Sequence, residues 1–357
     1  MRLLMLPRYD ALGASSRLRT LQYVPLLQAQ GVAITVTPLL GDGYVSDLYS
    51  GKVAATKVAR SYLRRFGRLV SARGFDAIWV EKEFWPWLPG WLEHIPVPRQ
   101  PALIADYDDA VFHRYDNHRS SLVRSLLGSK IDTVMRRADL VTAGNDYLAE
   151  RARSSGGKRV AWLPTVVDLD RYVMKPTARD PGTVTIGWIG SPSTAEYLLP
   201  LAPVMETLAR RHRIRCVAIG ARPDQVQGTP FEAWEWREDT EAALLRELDI
   251  GVMPLPDAPW ERGKCGYKLI QYMACGLPVV ASPVGVNTTI VQPGLNGALA
   301  VSTDEWVEAL ERMVEEPRLR DELGKAGRRQ VEQVYSLQAQ APRLLGMLRE
   351  TVAGKRP

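Results

Sequence analysis

Short apolar runs recur along the first half of the chain, at 3–6, 33–38, 77–80, 102–105, 140–143 and 159–163. Each is long enough for a strand that is covered on both faces. Between them lie amphipathic stretches at 16–30, 52–73, 120–137 and 146–154, where apolar positions return at helical spacing. A proline-rich, polar segment without period follows Leu163. The alternation then restarts, with strands at 184–191, 216–220, 232–236, 250–254, 278–282 and 297–301. Helices are expected at 194–211, 240–247, 268–275 and 304–315, and a long charged helical stretch runs over 318–352. Strand and helix in strict alternation predict α/β architecture: two doubly wound, Rossmann-like domains, each a parallel sheet with helices on both faces. The expected division is 1–165, a linker at 166–182, a second domain at 183–335, and a terminal helix at 336–357 that returns to the first domain. In such sheets ligands lie beyond the carboxyl ends of the strands, so a cleft between the two domains is the expected site.

Composition narrows the class. The 357 residues allow two cores, and 46% hydrophobic with 24% charged residues is ordinary globular usage. No apolar run approaches the roughly 18 residues of a membrane span. The start, MRLLMLPRYD, reads as a first strand and not as a secretory signal. Three cysteines and four histidines fall at no metal-ligand spacing, so neither a disulfide framework nor a metal is expected, and a reducing cytoplasm is the default. A net charge of +6 favours anionic partners.

The strongest local signal is GKCGYKLIQYMACGLPVVASPVGVN, from Gly263 to Asn287. It reads as a loop, a short helix, a turn and a buried strand. Lys264 and Lys268 bracket the helix start, where free amides and the helix dipole favour anions. The segment is a candidate diphosphate cradle; a solvated loop with incidental lysines is the other reading. In GWIGSPSTAEYL, Gly190 and Ser191 end a strand and Thr194 can cap the next helix. Amides there can approach a phosphate, though an ordinary strand–helix turn would look the same.

These residues resemble the donor site of family-4 retaining glycosyltransferases. The run from Ile250 to Gly297, the GWIGSP turn and the LPTVVDLDRY segment carry the likeness, and GASSRLRTLQY and DYDDAVF extend it weakly into the first half. The resemblance implies the GT-B fold, a nucleotide diphosphate sugar as donor, a glycan or lipid-linked acceptor, retention of configuration and no cofactor or divalent metal. The family's E-x7-E pair departs here. The first position is Gly263, where relatives touch the sugar; the second is Gln271, where they hold the ribose hydroxyls. Lys264 and Lys268 are then the expected phosphate ligands. Base and ribose are expected around Trp236 and Arg237.

In the first half, Asp106, Asp108 and Asp109 follow a strand, and carboxylates that converge raise one another's pKa. The resemblance places this stretch near the reacting sugar, which makes Asp108, Asp109 and His113 catalytic candidates; a helix-capping cluster is the competing reading. Glu81 with Glu83, Gly13 and Arg17 are acceptor-side candidates. The 52–73 stretch has seven basic residues (Lys52, Lys57, Arg60, Arg64, Arg65, Arg68, Arg73) and no acid. It suits an anionic membrane surface or a helix packed on its own domain. FWPWLPGWL at 84–92 is either an interfacial patch or core. The basic run lacks a nucleic-acid motif, so nucleic acid is not expected as a partner. The function these features point to is a hexosyltransferase, cytoplasmic and peripheral at the inner membrane face. A nucleotide-sugar epimerase or hydrolase on the same fold, or a non-catalytic nucleotide-sugar-binding protein, stays open.

Overall fold

The computed structural model describes residues 1–49, 54–174 and 182–355. Lys52 and residues 175–181 of the expected linker lie outside the described residues. Contacts divide the chain into two units: Met1–Thr165 with Gly263–Cys265 and Gln340–Pro357, and Val166–Arg262 with Gly266–Ala339.

Unit 1 is a six-stranded sheet, all strands parallel: β1 (Arg2–Leu6), β2 (Ala33–Val36), β3 (Ala77–Glu81), β4 (Ala102–Tyr107), β5 (Leu140–Ala143) and β6 (Val160–Trp162). The order is β2-β1-β3-β4-β5-β6. The chain builds outward from β1 to one side and then crosses to the other, so the switch of direction falls between β1 and β3. Leu3–Leu6 and Ala77–Val80 are wholly buried, as strands covered on both faces must be. The helix Leu337–Ala353 adds to this unit from Gln340 onward, with Lys355 paired to Asp139 at 2.9 Å and Arg343 over the Trp162 ring.

Unit 2 is a second parallel sheet: β7 (Val184–Ile189), β8 (Ile214–Ile219), β9 (Phe231–Trp234), β10 (Ile250–Met253), β11 (Val279–Ala281) and β12 (Gly297–Leu299). Its order, β12-β11-β10-β7-β8-β9, puts the switch between β7 and β10. These two strands pair at only Ile250 with Ile186 and Gly251 with Gly187. Beyond that the Tyr272 hydroxyl spans the gap, accepting from the Ile189 amide at 2.9 Å and donating to the Val252 carbonyl at 3.2 Å.

Several expected helices are broken, and prolines and glycines account for most of it. The 194–211 stretch is a 3₁₀ helix over Pro192–Leu201, followed by an α-helix over Ala202–Arg211. Pro200 and Pro203 lack the N–H that a continuous α-helix needs. The 16–30 stretch divides at Leu21–Tyr23, ahead of Pro25, and the 120–137 stretch divides at Gly128 and Ser129. The final stretch is two helices, Pro317–Val334 and Leu337–Ala353. Val167, expected in the linker, belongs to unit 2, where it donates to the Tyr335 carbonyl at 3.1 Å and accepts from the Leu337 amide at 2.8 Å.

Candidate functional site

At the switch point of unit 1, the turn after β1 and the ends of β3 and β4 meet in a buried charged cluster. The helix Ala14–Arg19 brings Ser15 and Ser16 to it. The Ser16 hydroxyl donates to Glu81 at 2.5 Å, and the Arg8 amide donates to the same carboxylate oxygen at 2.9 Å. Lys82 follows with a left-handed backbone, φ +67°. That conformation is held from both ends: its amide donates to the Asp106 carbonyl at 3.0 Å, and the Tyr107 hydroxyl donates to its carbonyl at 2.8 Å. The strain aims the Lys82 ammonium at Asp108 (2.9 Å), Asp109 (3.7 Å) and Glu81 (3.9 Å), with Ser15 at 3.3 Å.

Charges settle the protonation pattern. Burial pushes Asp109 up, and its neighbour Asp108 adds to the rise, against Lys82 and Lys264. Burial opposes ionisation of Asp108 as well, but Lys82 and Arg19 outweigh it and hold Asp108 below the usual carboxylate range. Glu81 is pushed up by burial in spite of Lys82. Of these two neighbours Asp108 thus gives up its proton more readily than an ordinary aspartate and Asp109 less readily. Asp106 stands apart from this chemistry: Arg19 grips it twice, at 2.9 and 2.6 Å, and Thr142 donates to it at 2.6 Å.

The loop Gly263–Cys265 also belongs to unit 1. Gly263 lies so close to Ala110 that a Cβ would sit 2.4 Å from its methyl group. The Lys264 carbonyl accepts from Asn145 at 2.9 Å, and the Cys265 thiol donates to the Asp108 carbonyl at 3.0 Å. The Lys264 ammonium consequently faces Asp109 at 4.0 Å. Lys264 and Lys268, expected as one phosphate cradle, thus fall in different units; Lys268 stands over the Trp188 ring of unit 2.

In unit 2 the carboxyl ends of the strands are built from backbone instead of charge. A Cβ on Gly190 would meet the Trp188 ring at 2.3 Å. Gly220 has φ +85°, and a Cβ there would meet the Gly190 carbonyl oxygen at 2.1 Å. No side chain fits at either position because the protein's own atoms fill the space, and both amides are already used: Gly190 donates to the Ile219 carbonyl at 3.0 Å and Gly220 to the Trp234 carbonyl at 2.8 Å. Ser191 shares a hydroxyl hydrogen bond with Ser193 at 2.8 Å, and the Thr194 hydroxyl donates to the Ser191 carbonyl at 3.1 Å. The turn opens a 3₁₀ helix, so local amides, more than a helix dipole, would meet an anion there.

Beside it, Gln271 is buried at the centre of a polar chain. Its amide donates to the Tyr172 hydroxyl at 3.0 Å, and Tyr172 in turn donates to Glu241. Trp236 Nε1 donates to the other Glu241 oxygen at 2.7 Å, and Tyr267 reaches Tyr172 at 3.2 Å. Arg237 is exposed and paired with Asp239 at 3.1 Å.

The remaining candidates of unit 1 are engaged by their own neighbours. Gly13 ends the turn after β1, its amide donating to the Asp10 carbonyl at 2.9 Å, and Arg17 donates to the Ala11 carbonyl at 2.9 Å. Both ring nitrogens of His113 are engaged, by Asp116 at 2.8 Å and Tyr147 at 2.7 Å. Glu83, expected beside Glu81, points the other way: Arg8 at 3.1 Å, Tyr115 at 2.9 Å and Lys130 at 3.1 Å enclose its carboxylate. It is a buried anchor, not an acceptor contact. Lys82 and Tyr172 do not stand out in the sequence as candidates, and Glu241 reads there as a charge at a helix N-terminus or a ligand. Lys82 had one sequence signal, its position between two acids directly after a strand.

The three cysteines are buried free thiols. The sequence shows no histidine at metal-ligand spacing, but among the described residues the fold brings one group of three ligand-type side chains together. His212 ends one helix against Glu311 and Glu315 of another, at 3.0 and 3.7 Å. Arg211 also pairs with Glu311, at 3.1 Å, so the group reads as an ion-pair network.

Residues 183–316 match the family described as glycosyl transferases group 1. The chain is 41% identical over 64 residues to a D-inositol 3-phosphate glycosyltransferase of Thermobifida fusca, covering 17% of this chain and 15% of that protein. It is 26% identical over 228 residues to the protein of the same name from Nocardiopsis dassonvillei, covering 55% of this chain and 52% of the relative. The matched stretches thus span about half or less of these relatives' length. Among solved structures, a sucrose-phosphate synthase from Thermosynechococcus elongatus superposes with a TM-score of 0.74 at 15% identity, covering 99% of this chain and 100% of that one. Anabaena HepE, in complex with UDP and glucose, gives a TM-score of 0.71 at 14% identity, covering 98% of this chain and 100% of that one. Among the described residues, no helix is long and apolar enough to cross a membrane. The chain has the GT-B fold of these enzymes, two parallel-sheet Rossmann-like units, and its residues 183–316 are similar to the glycosyl transferases group 1.

Proposed function

We propose that the chain moves a hexosyl group from a nucleoside diphosphate sugar to a hydroxyl of a glycan or lipid-linked acceptor. The anomeric configuration is retained and no divalent metal is required. The observation that carries this reading is the tight turn from Gly190 through Ser191 into the 3₁₀ helix Pro192–Leu201, at the carboxyl end of β7 and the switch point of unit 2, inside the stretch that matches glycosyl transferases group 1. Amides at the start of such a helix are where a diphosphate docks. The UDP and glucose bound to HepE make a uridine nucleotide the first donor to try.

In the reaction the bond between the anomeric carbon and the diphosphate oxygen breaks, and a bond to the acceptor oxygen forms. Positive charge develops on the sugar and negative charge on the leaving phosphate. The Ser191 amide and the Lys268 ammonium stabilise the phosphate, with Gly190 and Thr194 shaping the turn and Lys264 as a second cation. These fixed positive groups do the work a metal would otherwise do. Gln271, positioned by Tyr172 and Glu241, holds the ribose, and Trp236 with Arg237 meets the base. On the acceptor side, Asp109 exchanges the proton of the attacking hydroxyl. Asp108 and Lys82 set its charge, and Gly13, Arg17, Glu81 and His113 shape the surroundings.

The test is incubation with a panel of UDP and GDP sugars, with and without glycan and lipid-linked acceptors, in the presence of a chelator. Nucleoside diphosphate release that depends on acceptor, and that survives chelation, is the expected result. Free sugar released without acceptor would make the protein a hydrolase. Activity abolished by the chelator would remove metal independence, and no heat of binding with any nucleotide sugar would remove the donor site altogether.

A further inference from the structure

The helix Ala55–Val70 of unit 1 buries Leu69 on its inner face but carries apolar side chains on its outer face as well. Its inner face buries an arginine: Arg65 is 1% exposed and donates to the carbonyls of Pro7 at 2.8 Å and Thr37 at 3.2 Å. Its outer face presents Leu63, Phe66 and Val70, which are 73%, 44% and 55% exposed. Positions 63, 66 and 70 fall on one stripe of a helix. Arg60 and Arg64, both exposed, border that stripe, and no acidic residue occurs between 55 and 73.

The apolar surface continues onto the neighbouring loop. The Tyr62 hydroxyl donates to the Pro86 carbonyl at 2.7 Å, and the Phe66 and Trp85 rings lie 6.5 Å apart. That loop buries Phe84 and Trp85 but leaves Trp87 and Trp91 48% and 64% exposed. The tryptophan-rich segment is therefore part core and part surface.

Apolar side chains on a ridge, tryptophans beside them and arginines along one border match the layers of an anionic bilayer surface. The aliphatic groups enter the acyl boundary, indoles sit at the headgroup level, and guanidinium groups meet lipid phosphate. Nucleic acid would satisfy the arginines and leave the stripe wet. A second copy would cover the stripe and bring Arg60 and Arg64 against their own kind. We propose that this face of unit 1 docks the protein on an anionic lipid bilayer.

The measurement is co-flotation of the full chain with phosphatidylcholine vesicles, with and without phosphatidylglycerol. Binding is expected only with the anionic lipid, and it should weaken as salt rises. Arg60→Gln should lower partitioning about fivefold. The double variant Leu63→Ser/Phe66→Ser should lower it roughly tenfold or more, and Leu63→Ser alone, at the more exposed side chain, should lower it with little change in urea midpoint. Equal binding by wild type and double variant would overturn the proposal, as would no preference for phosphatidylglycerol. So would a dimer in sedimentation that the double variant converts to monomer, or tighter binding to single-stranded RNA than to the vesicles.

Discussion

The two sheets end in opposite materials. Beyond the strands of unit 1 stand Glu81, Lys82, Asp108, Asp109 and Lys264, buried and half-buried charges that hold one another within 4.0 Å. Beyond the strands of unit 2 the switch point carries a tight glycine–serine turn, and the nearby polar chain runs through an amide and two phenols to a single carboxylate. Charged side chains can move protons and balance charge; turn amides can grip a fixed anion at short range. The proposed function gives proton handling to the first unit and phosphate binding to the second, and this division can be broken by exchanging the material at either end.

The largest effect is expected from Lys82→Met. Removing the cation leaves Asp108 and Glu81 buried around an uncharged side chain, which destabilises by about 3–5 kcal/mol in urea denaturation. Transfer should fall at least about a hundredfold, since the proton balance of Asp109 depends on that ammonium. A variant that kept wild-type turnover would show that unit 1 is charged for reasons other than proton transfer. In unit 2, Gly190→Ala places a methyl against the Trp188 ring. Overpacking of this kind costs about 1–3 kcal/mol. Calorimetric affinity for the nucleoside diphosphate should drop about tenfold or more, because relieving that clash shifts the turn that carries the Ser191 amide. Unaltered affinity would place the diphosphate elsewhere.

Much of the fold was legible because it depends on patterns that the chain repeats. The β5 span 140–143 was marked by its apolar run alone, and the strand–helix alternation fixed the parallel sheets. Helix continuity was harder: Pro200 sits within an apolar period that otherwise reads as one α-helix, and the backbone there tightens to 3₁₀. The turn at Gly190 and Ser191 was legible because local sequence makes it. The site was not legible where distant segments converge. Nothing near Tyr172 signals that its hydroxyl links Gln271 to Glu241, 99 and 69 residues away in sequence. Nor does the GKC segment signal that Lys264 leaves its neighbours to face Asp109.

That convergence also explains the amide at position 271. Tyr172 spends its one proton on Glu241, so it needs a donor from the other side, and Gln271 Nε2 supplies it. A carboxylate there could only accept. Gln271→Glu should therefore destabilise by about 1–2 kcal/mol, through a lost donor and a like charge facing Glu241 across one phenol. The urea midpoint reads this directly. A glutamate variant as stable as wild type would mean that the Tyr172 proton turns freely between the two partners.

The smallest effect, and the one that isolates a single charge of unit 1, is the pH dependence of Glu81→Gln. Burial raises the folded-state pKa of Glu81 above its ordinary value, against the pull of Lys82, Ser16 and the Arg8 amide. Between the ordinary and the raised value, the folded chain holds a proton that the unfolded chain has released. Stability then falls as pH rises through that window. Glutamine keeps the acceptor oxygen for Ser16 and Arg8 but does not titrate, so it lacks this slope. Asp109 contributes the same sign and Asp108 the opposite, but both are present in the variant and largely cancel in the difference. Urea unfolding of both proteins from about pH 4 to about pH 8 should show wild type losing ground to the variant as pH increases, by no more than about 1 kcal/mol. A difference that is flat, or that slopes the other way, would mean Glu81 is held as an anion by Lys82, and the burden of the proton in this cluster would rest on Asp109 alone.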